Sequence, residues 1–136
     1  MKELRIAALK ECLNQVLDFV NEELDQLDCS PKARMLIDIA VEEMFVNIAS
    51  YAYGPEEGDA EILLRSDPAE HEVEIEMRDS GVPFDPLQKP DPDVTLPASQ
   101  RKIGGLGIFM VKKSMDSMTY EYRDGQNRLS FRKKLD

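Results

Sequence analysis

The stretch VEEMFVNIASYAYG, residues 41–54, constrains the fold of this chain more than any other feature. It belongs to an apolar pattern of helical length that begins at Ser30 and Pro31, which supply a helix cap and a first-turn proline. The pattern runs to about Tyr53 and ends at Gly54. A helix with so much apolar surface is stable mainly through packing against a core. The sequence therefore predicts a long helix that is buried along one side.

The rest of the chain alternates between helical and strand-like patterns. Apolar residues recur at helical spacing from Leu9 to Leu27, and a glycine-led helix is predicted after residue 103. Strand patterns occupy the start of the chain (ELRIAA), a central hairpin (AEILLRS and HEVEIEMRD) and a closing hairpin around Gly125. This order predicts one domain over residues 1–136 of the α+β class, a two-layer sandwich in which three helices cover one sheet.

The charge of the chain argues against some functions. Lys and Arg number 17 against 27 Asp and Glu, and a net charge of −10 repels the phosphate backbone of nucleic acids. We therefore expect no direct nucleic-acid partner, although local N–H groups or a metal ion could still offset the charge of a nucleotide. Because no run of about 18 apolar residues occurs, no membrane span is expected. Cys12 and Cys29 lack metal-type spacing, so we expect two reduced structural thiols in a cytoplasmic protein.

Two polar residues interrupt the apolar side of the long helix. At 100° per residue, Glu43 and Asn47 share a face with Leu36, Ala40, Met44 and Tyr51, whereas Glu42 points outward. Burying a carboxylate and an amide without partners costs several kcal/mol. One interpretation is a pair satisfied by water or neighbouring groups at the edge of the core. The other is a functional pair, in which the Asn carbonyl suits Mg²⁺ and the Glu accepts a proton.

The segment RDSGVPFDP, residues 78–86, leaves a predicted strand through a turn. Asp followed by Ser-Gly is common in ordinary turns. The functional alternative is that the Asp79 carboxylate accepts the exocyclic amine of adenine. Gly81 would then allow the backbone to approach the ring closely.

The glycine cluster IGGLGIF, residues 103–109, opens a predicted helix. The unpaired N–H groups of a helix start can bind phosphate, although loop flexibility also explains such clusters. Residues 86–103 come immediately before it, with four prolines and no sustained periodicity. A loop of this length is typically a functional lid or a disordered segment. A lid here could close over a nucleotide.

These motifs, in this order, resemble the GHKL (Bergerat-fold, histidine-kinase-like) ATPases. The shared features are E-x-x-x-N on a helix, then D-x-G-x-P-F-D, a variable lid and G-G-L-G-I-F. Within that group the chain is similar to the small bacterial anti-sigma-factor serine/threonine kinases, including the tail from Gly107 with Met115-Asp116 and Gly125-x-Asn127. The resemblance covers nearly the whole chain and implies the Bergerat fold, with one mixed sheet covered by three helices.

The resemblance also implies a set of site residues and cofactors. Glu43 would be the general base and Asn47 the ligand of Mg²⁺. The cofactor-binding residues for ATP or ADP would be Asn47, Tyr51, Asp79, Gly81, Pro83, Phe84, Arg101, Lys102, Gly104, Gly105, Leu106, Gly107 and Ile108. Among these, Asp79 and Gly81 would hold adenine, and the glycines of the cluster would bind phosphates.

Three functions are compatible with these features. By resemblance, the chain is a cytoplasmic, homodimeric kinase that phosphorylates an anti-anti-sigma antagonist protein and sequesters a sigma factor. The alternative is a nucleotide-gated protein-binding module without kinase activity, which Ile103 favours because some relatives carry arginine there. In a third interpretation, the α+β domain binds no ligand, and neighbouring backbone satisfies Glu43 and Asn47.

Overall fold

The computed structural model describes residues 1–88 and 105–136, with residues 88, 105 and 106 described by their backbone alone. Short 3₁₀ turns at Lys10–Cys12 and Pro86–Gln88 accompany the regular elements. The helices and strands, in chain order, are β1 (Lys2–Ala7), α1 (Leu13–Asp25), α2 (Pro31–Tyr51), β2 (Asp59–Asp67), β3 (Glu72–Asp79), α3 (Gly105–Ser114), β4 (Ser117–Arg123) and β5 (Gln126–Lys134).

In the part of the chain that the structure describes, five strands form one sheet in the order β1-β2-β3-β5-β4, and every neighbouring pair is antiparallel. The predicted α+β architecture with three helices and one sheet is confirmed. The expectation of a mixed sheet is wrong. The crossover through α3 does make β4 run parallel to β3, but β5 folds back between them. The two parallel strands are therefore never neighbours.

Strand β3 shows how the sheet separates a core face from an outer face. Val73, Ile75 and Met77 are buried, whereas the residues between them are only partly so. This period of two is the expected alternation of a strand with one covered face. The alternation continues to the last residue of the strand, Asp79, which is therefore directed toward the core side.

The long helix α2 begins as the sequence predicts. The Ser30 hydroxyl accepts a hydrogen bond from the Ala33 N–H at 3.0 Å, which satisfies one of the free donors of the first turn. The buried side of α2 comprises Ala33, Ile37, Ala40, Val41, Met44 and Phe45. Within the described ranges, no helix is both long and apolar enough to cross a membrane.

The predicted inward face of α2 is rotated from the observed one. Ala40 and Met44 are buried as expected, but Glu43 and Asn47 are half-buried and Tyr51 is exposed. The apolar line through Ile37, Val41 and Phe45 faces the core instead, because it offers more hydrocarbon. Glu43 and Asn47 consequently lie on the flank of α2, where a ligand can reach them.

Both cysteines are half-buried free thiols. The Cys29 Sγ lies 3.5 Å from the carbonyl oxygen of Ser30, and burial raises the pKa of this thiol. A raised pKa disfavours the reactive thiolate. Cys29 is therefore a packing residue at the junction between α1 and α2.

Candidate nucleotide-binding site

A cavity opens between the carboxyl-terminal half of α2 and the sheet, and its empty space together with its open mouth is about 440 Å³. The residues that line the cavity are Met44, Asn47, Ile48, Tyr51, Ala52, Met77, Asp79, Val82, Phe84, Pro86, Tyr120, Asn127 and Leu129. The cavity therefore joins parts of two predicted motifs, the Asn47 amide on the flank of α2 and the aspartate at the end of β3.

Asp79 provides the polar end of this cavity. It is only 6% exposed, and its Oδ1 atom accepts hydrogen bonds of 2.9 Å from the Gly81 N–H and the Asn127 Nδ2. A buried carboxylate needs such donors to offset the loss of water. Both hydrogen bonds that Asp79 accepts from described residues end on Oδ1. Its Oδ2 is therefore the atom that can accept a hydrogen bond from a ligand.

Gly81 brings the segment after β3 against the end of α2. A Cβ at this position would overlap the carbonyl oxygen of Ala52, which also accepts a 2.9 Å hydrogen bond from the Val82 N–H. Only glycine permits this backbone approach. The observed close approach is thus to Ala52, whereas contact of Gly81 with an adenine ring stays a prediction.

Asn47 lines the cavity one helical turn from Glu43. Its Nδ2 atom is buried and has no hydrogen-bond partner among residues 1–88 and 105–136. Leaving a buried amide group unpaired costs about 1–3 kcal/mol. This cost is unusual for a residue with a purely structural role, and it favours a ligand that completes the site.

Glu43 lies against the first turns of α3 rather than in the wall of the cavity. A Cβ at Gly107 would overlap the Glu43 carboxylate, so the two residues are in direct contact. Glycine at this position leaves room for the carboxylate. The structure therefore brings together the E-x-x-x-N motif and the glycine cluster, which are about 60 residues apart in sequence.

Two aromatic residues flank the mouth of the cavity. Tyr51 and Phe84 have ring centroids 6.4 Å apart with an interplanar angle of 39°, and they are 57% and 36% exposed. Exposed aromatic rings beside a cavity can stack on a planar ligand. Tyr51 and Phe84 thus lie beside the cavity, and their contact with a cofactor stays a prediction.

The remaining predicted site residues have different positions. Pro83 is exposed beside the mouth and does not line the cavity. The Ile108 side chain is 2% exposed and packs in the core, so only its backbone could face a ligand. Gly105 and Leu106 belong to the first turn of α3. Arg101, Lys102 and Gly104 lie outside the described residues, as does the predicted lid of residues 86–103 apart from its first three residues.

The sequence patterns predict no site role for Asn127 or Tyr120. Asn127 is buried and pairs with Asp79 across β3 and β5, and the Tyr120 hydroxyl donates a hydrogen bond to it. The signal was present in the alternation of β5, where Asn127 precedes Leu129 and Phe131 on the buried side. A polar residue at a core position of a strand requires a partner.

The fold and this cavity define an ATPase-type domain, and the sequence comparison agrees. The chain matches the histidine kinase-like ATPase domain over residues 6–133 and belongs to that family. Serine/threonine-protein kinase BtrW of Bordetella bronchiseptica is 29% identical over 101 residues, which cover 74% of this chain and 70% of BtrW. Serine-protein kinase RsbW of Listeria monocytogenes is 34% identical over 93 residues, which cover 65% of this chain and 59% of RsbW. RsbW of Listeria innocua is 33% identical over the same shares of the two chains.

Proposed function

We propose that this protein is an ATP-dependent serine/threonine kinase that phosphorylates an anti-anti-sigma antagonist protein and also sequesters a sigma factor. The observation that carries the proposal is the cavity that reaches from Asp79 to Asn47 in a chain of the histidine kinase-like ATPase family. Relatives named as serine or serine/threonine kinases support the reaction type. Because the chain spans 59% of RsbW, the activity of the whole protein is part of the proposal.

The cavity suits the base of a nucleotide. Its deep walls are apolar, with Met77, Leu129 and Ile48 among them, and Asp79 supplies one acceptor. Apolar walls with a few polar groups are the usual composition of a small-molecule site. Adenine carries an amine that can donate to the carboxylate, and its flat faces can pack against the walls.

The flank of α2 suits a magnesium ion. The Asn47 Nδ2 is buried and unpaired within the described residues, and an amide carbonyl is a ligand that Mg²⁺ accepts beside water and phosphate oxygens. No described residue forms a hydrogen bond with the Asn47 Nδ2, so the amide is free to turn its Oδ1 into the cavity. When bound, Mg²⁺ would offset the negative charge of the nucleotide phosphates.

Glu43 can accept the proton of the attacking hydroxyl. Its carboxylate lies beside Gly107 at the start of α3, where the backbone N–H groups and the helix dipole favour phosphate. The Ser or Thr oxygen of the substrate protein would bond to the γ-phosphorus while the bond to the bridging oxygen of ADP breaks. The hydroxyl proton would move to Glu43.

The proposal predicts that Glu43 is required for transfer but not for binding. The protein should transfer phosphate from Mg-ATP to an anti-anti-sigma antagonist, as measured by mass spectrometry of the antagonist. Glu43→Gln should slow the transfer by about a hundredfold or more, because it removes the proton acceptor and keeps the shape. Glu42→Gln is the matched control, since Glu42 is the exposed neighbour on α2. Transfer at the native rate by Glu43→Gln would contradict the role of Glu43.

A second prediction concerns Asn47 and Mg²⁺. Mg²⁺ should strengthen ADP binding to the native protein, and Asn47→Ala should lose most of that gain because it removes the metal ligand. Calorimetric titration with and without Mg²⁺ measures the difference. Asn14→Ala is the matched control, since Asn14 is an exposed residue of α1. An unchanged Mg²⁺ effect in Asn47→Ala would exclude Asn47 as the ligand.

The alternative function is a binding module in which nucleotide sets the conformation of the lid without chemistry. Ile103 favours it, because no cationic side chain stands directly before the glycine cluster. Persistent ATP binding with no transfer to any antagonist would decide for this alternative. The homodimer and the cytoplasmic location belong to the same proposal and rest on the resemblance to the anti-sigma kinases.

A further inference from the structure

We propose that Asn127 is a positioning residue that orients Asp79 and thereby sets the preference for a 6-amino purine over a 6-oxo purine. This inference rests on the proposed nucleotide-binding function. Asn127 is on β5, directly opposite Asp79 on β3, and both side chains are only 6% exposed.

The amide of Asn127 uses all of its hydrogen-bonding capacity within this region. Its Nδ2 donates to the Asp79 Oδ1 and to the Val82 carbonyl oxygen, both at 2.9 Å. Its Oδ1 accepts from the Phe84 N–H at 3.0 Å and from the Tyr120 hydroxyl. Two donors and two acceptor positions are the full inventory of a carboxamide. A serine, threonine or aspartate at this position could not reproduce the set.

This arrangement fixes which oxygen of Asp79 meets the ligand. Asn127 and the Gly81 N–H both donate to Oδ1, so the carboxylate is held with Oδ2 available to the cavity. An oxygen that can only accept favours a ligand that donates there. The 6-amino group of adenine donates, whereas the 6-oxo group of hypoxanthine would place two acceptors together.

The Asn127 amide also connects the Asp79 carboxylate to the mouth of the cavity. Through the Val82 carbonyl and the Phe84 N–H, Asn127 holds the backbone that carries the Phe84 ring beside Tyr51. Loss of the Asn127 amide would therefore loosen both the Asp79 carboxylate and the Phe84 ring. Both N–H groups of the Asn127 amide are already used, so Asn127 acts on the ligand through Asp79 and Phe84.

The test compares the affinities for ADP and for inosine diphosphate, each with Mg²⁺, by calorimetric titration. The native protein should bind ADP more tightly. In Asn127→Ala and Asn127→Leu the ratio of the two affinities should fall by about tenfold, because one hydrogen bond to a charged group is lost. A residue that only stabilises the fold would lower both affinities equally and leave their ratio unchanged.

Tyr120→Phe keeps the test decisive if the Asn127 variants do not fold. It removes one hydrogen bond to the Asn127 Oδ1, and the ratio should fall by about twofold to fivefold. Tyr122→Phe is the matched control, because Tyr122 lies two residues further along β4 and is 47% exposed. Its ratio should equal that of the native protein.

Two results would overturn the inference, and they differ in what else they overturn. The first is a native ratio of the ADP and inosine diphosphate affinities in folded Asn127→Ala. If the Asn127 variants do not fold, the same result in Tyr120→Phe counts instead. Either would exclude the positioning role and leave the kinase proposal intact. Failure of the native protein to bind either nucleotide would overturn both proposals.

Discussion

Two glycines near the cavity are required for different physical reasons. At Gly81 an added Cβ would meet the backbone of Ala52, which cannot move without disturbing the end of α2. At Gly107 it would meet the carboxylate end of Glu43, which can rotate away. The first glycine is therefore a requirement of the fold, and the second is a requirement of the position of Glu43.

Gly107→Ala should separate stability from activity. Alanine is a better helix former than glycine by about 1 kcal/mol, so the free energy of unfolding should stay the same or rise. The rate of phosphate transfer should fall by about tenfold to a hundredfold, because Glu43 is displaced. Denaturant titration and the transfer assay measure the two effects. Met110→Ala, at an exposed position of α3, is the control and should change neither quantity. Equal activity of Gly107→Ala and the native protein would contradict the role of this contact.

At the scale of elements, the helix α2 carries Asn47 and Glu43 on one rigid segment of 21 residues. Its amino-terminal end depends on the Ser30 cap, and Ser30→Ala should lower the free energy of unfolding by about 1 kcal/mol. Thermal or denaturant unfolding measures the loss. Ser30→Asp should recover most of it, because an aspartate can accept the same hydrogen bond. No recovery by Ser30→Asp would show that Ser30 acts through something other than its cap.

The elements also show how far local sequence patterns can lead. The Ser30 cap and the alternation of β3 are local signals, and both were predicted correctly. The pairing of β5 with β3 is not local, since it depends on which strands meet after α3 has crossed the sheet. Because this pairing was not predicted, the sheet was wrongly expected to be mixed and Asn127 was assigned no role in the site. The partner of Asp79 could not be found without knowing the order of the strands.

At the scale of the whole molecule, His71 connects three distant segments. It lies in the turn between β2 and β3, with φ of 51°, and its backbone carbonyl accepts the Leu135 N–H. Its Nδ1 is 2.6 Å from the Asp136 Oδ1, and its Nε2 is 3.3 Å from the Leu27 carbonyl oxygen. Both partners are acceptors. Only the protonated imidazole carries an N–H on each nitrogen and can donate to both.

This arrangement predicts that part of the stability depends on pH. The hydrogen bond to Asp136 raises the pKa of His71 above its ordinary value. The stabilisation is therefore fully present below the unfolded pKa of about 6.5, and it is lost as the pH rises through the higher folded pKa. The melting temperature of the native protein, relative to that of His71→Asn, should fall as the pH rises above about 6.5. Asparagine is the appropriate replacement because it tolerates the left-handed backbone of this turn. Asp136→Asn should flatten this pH dependence, because it removes the main cause of the raised pKa of His71. Parallel curves of melting temperature against pH for the native protein and His71→Asn would exclude this contribution of His71.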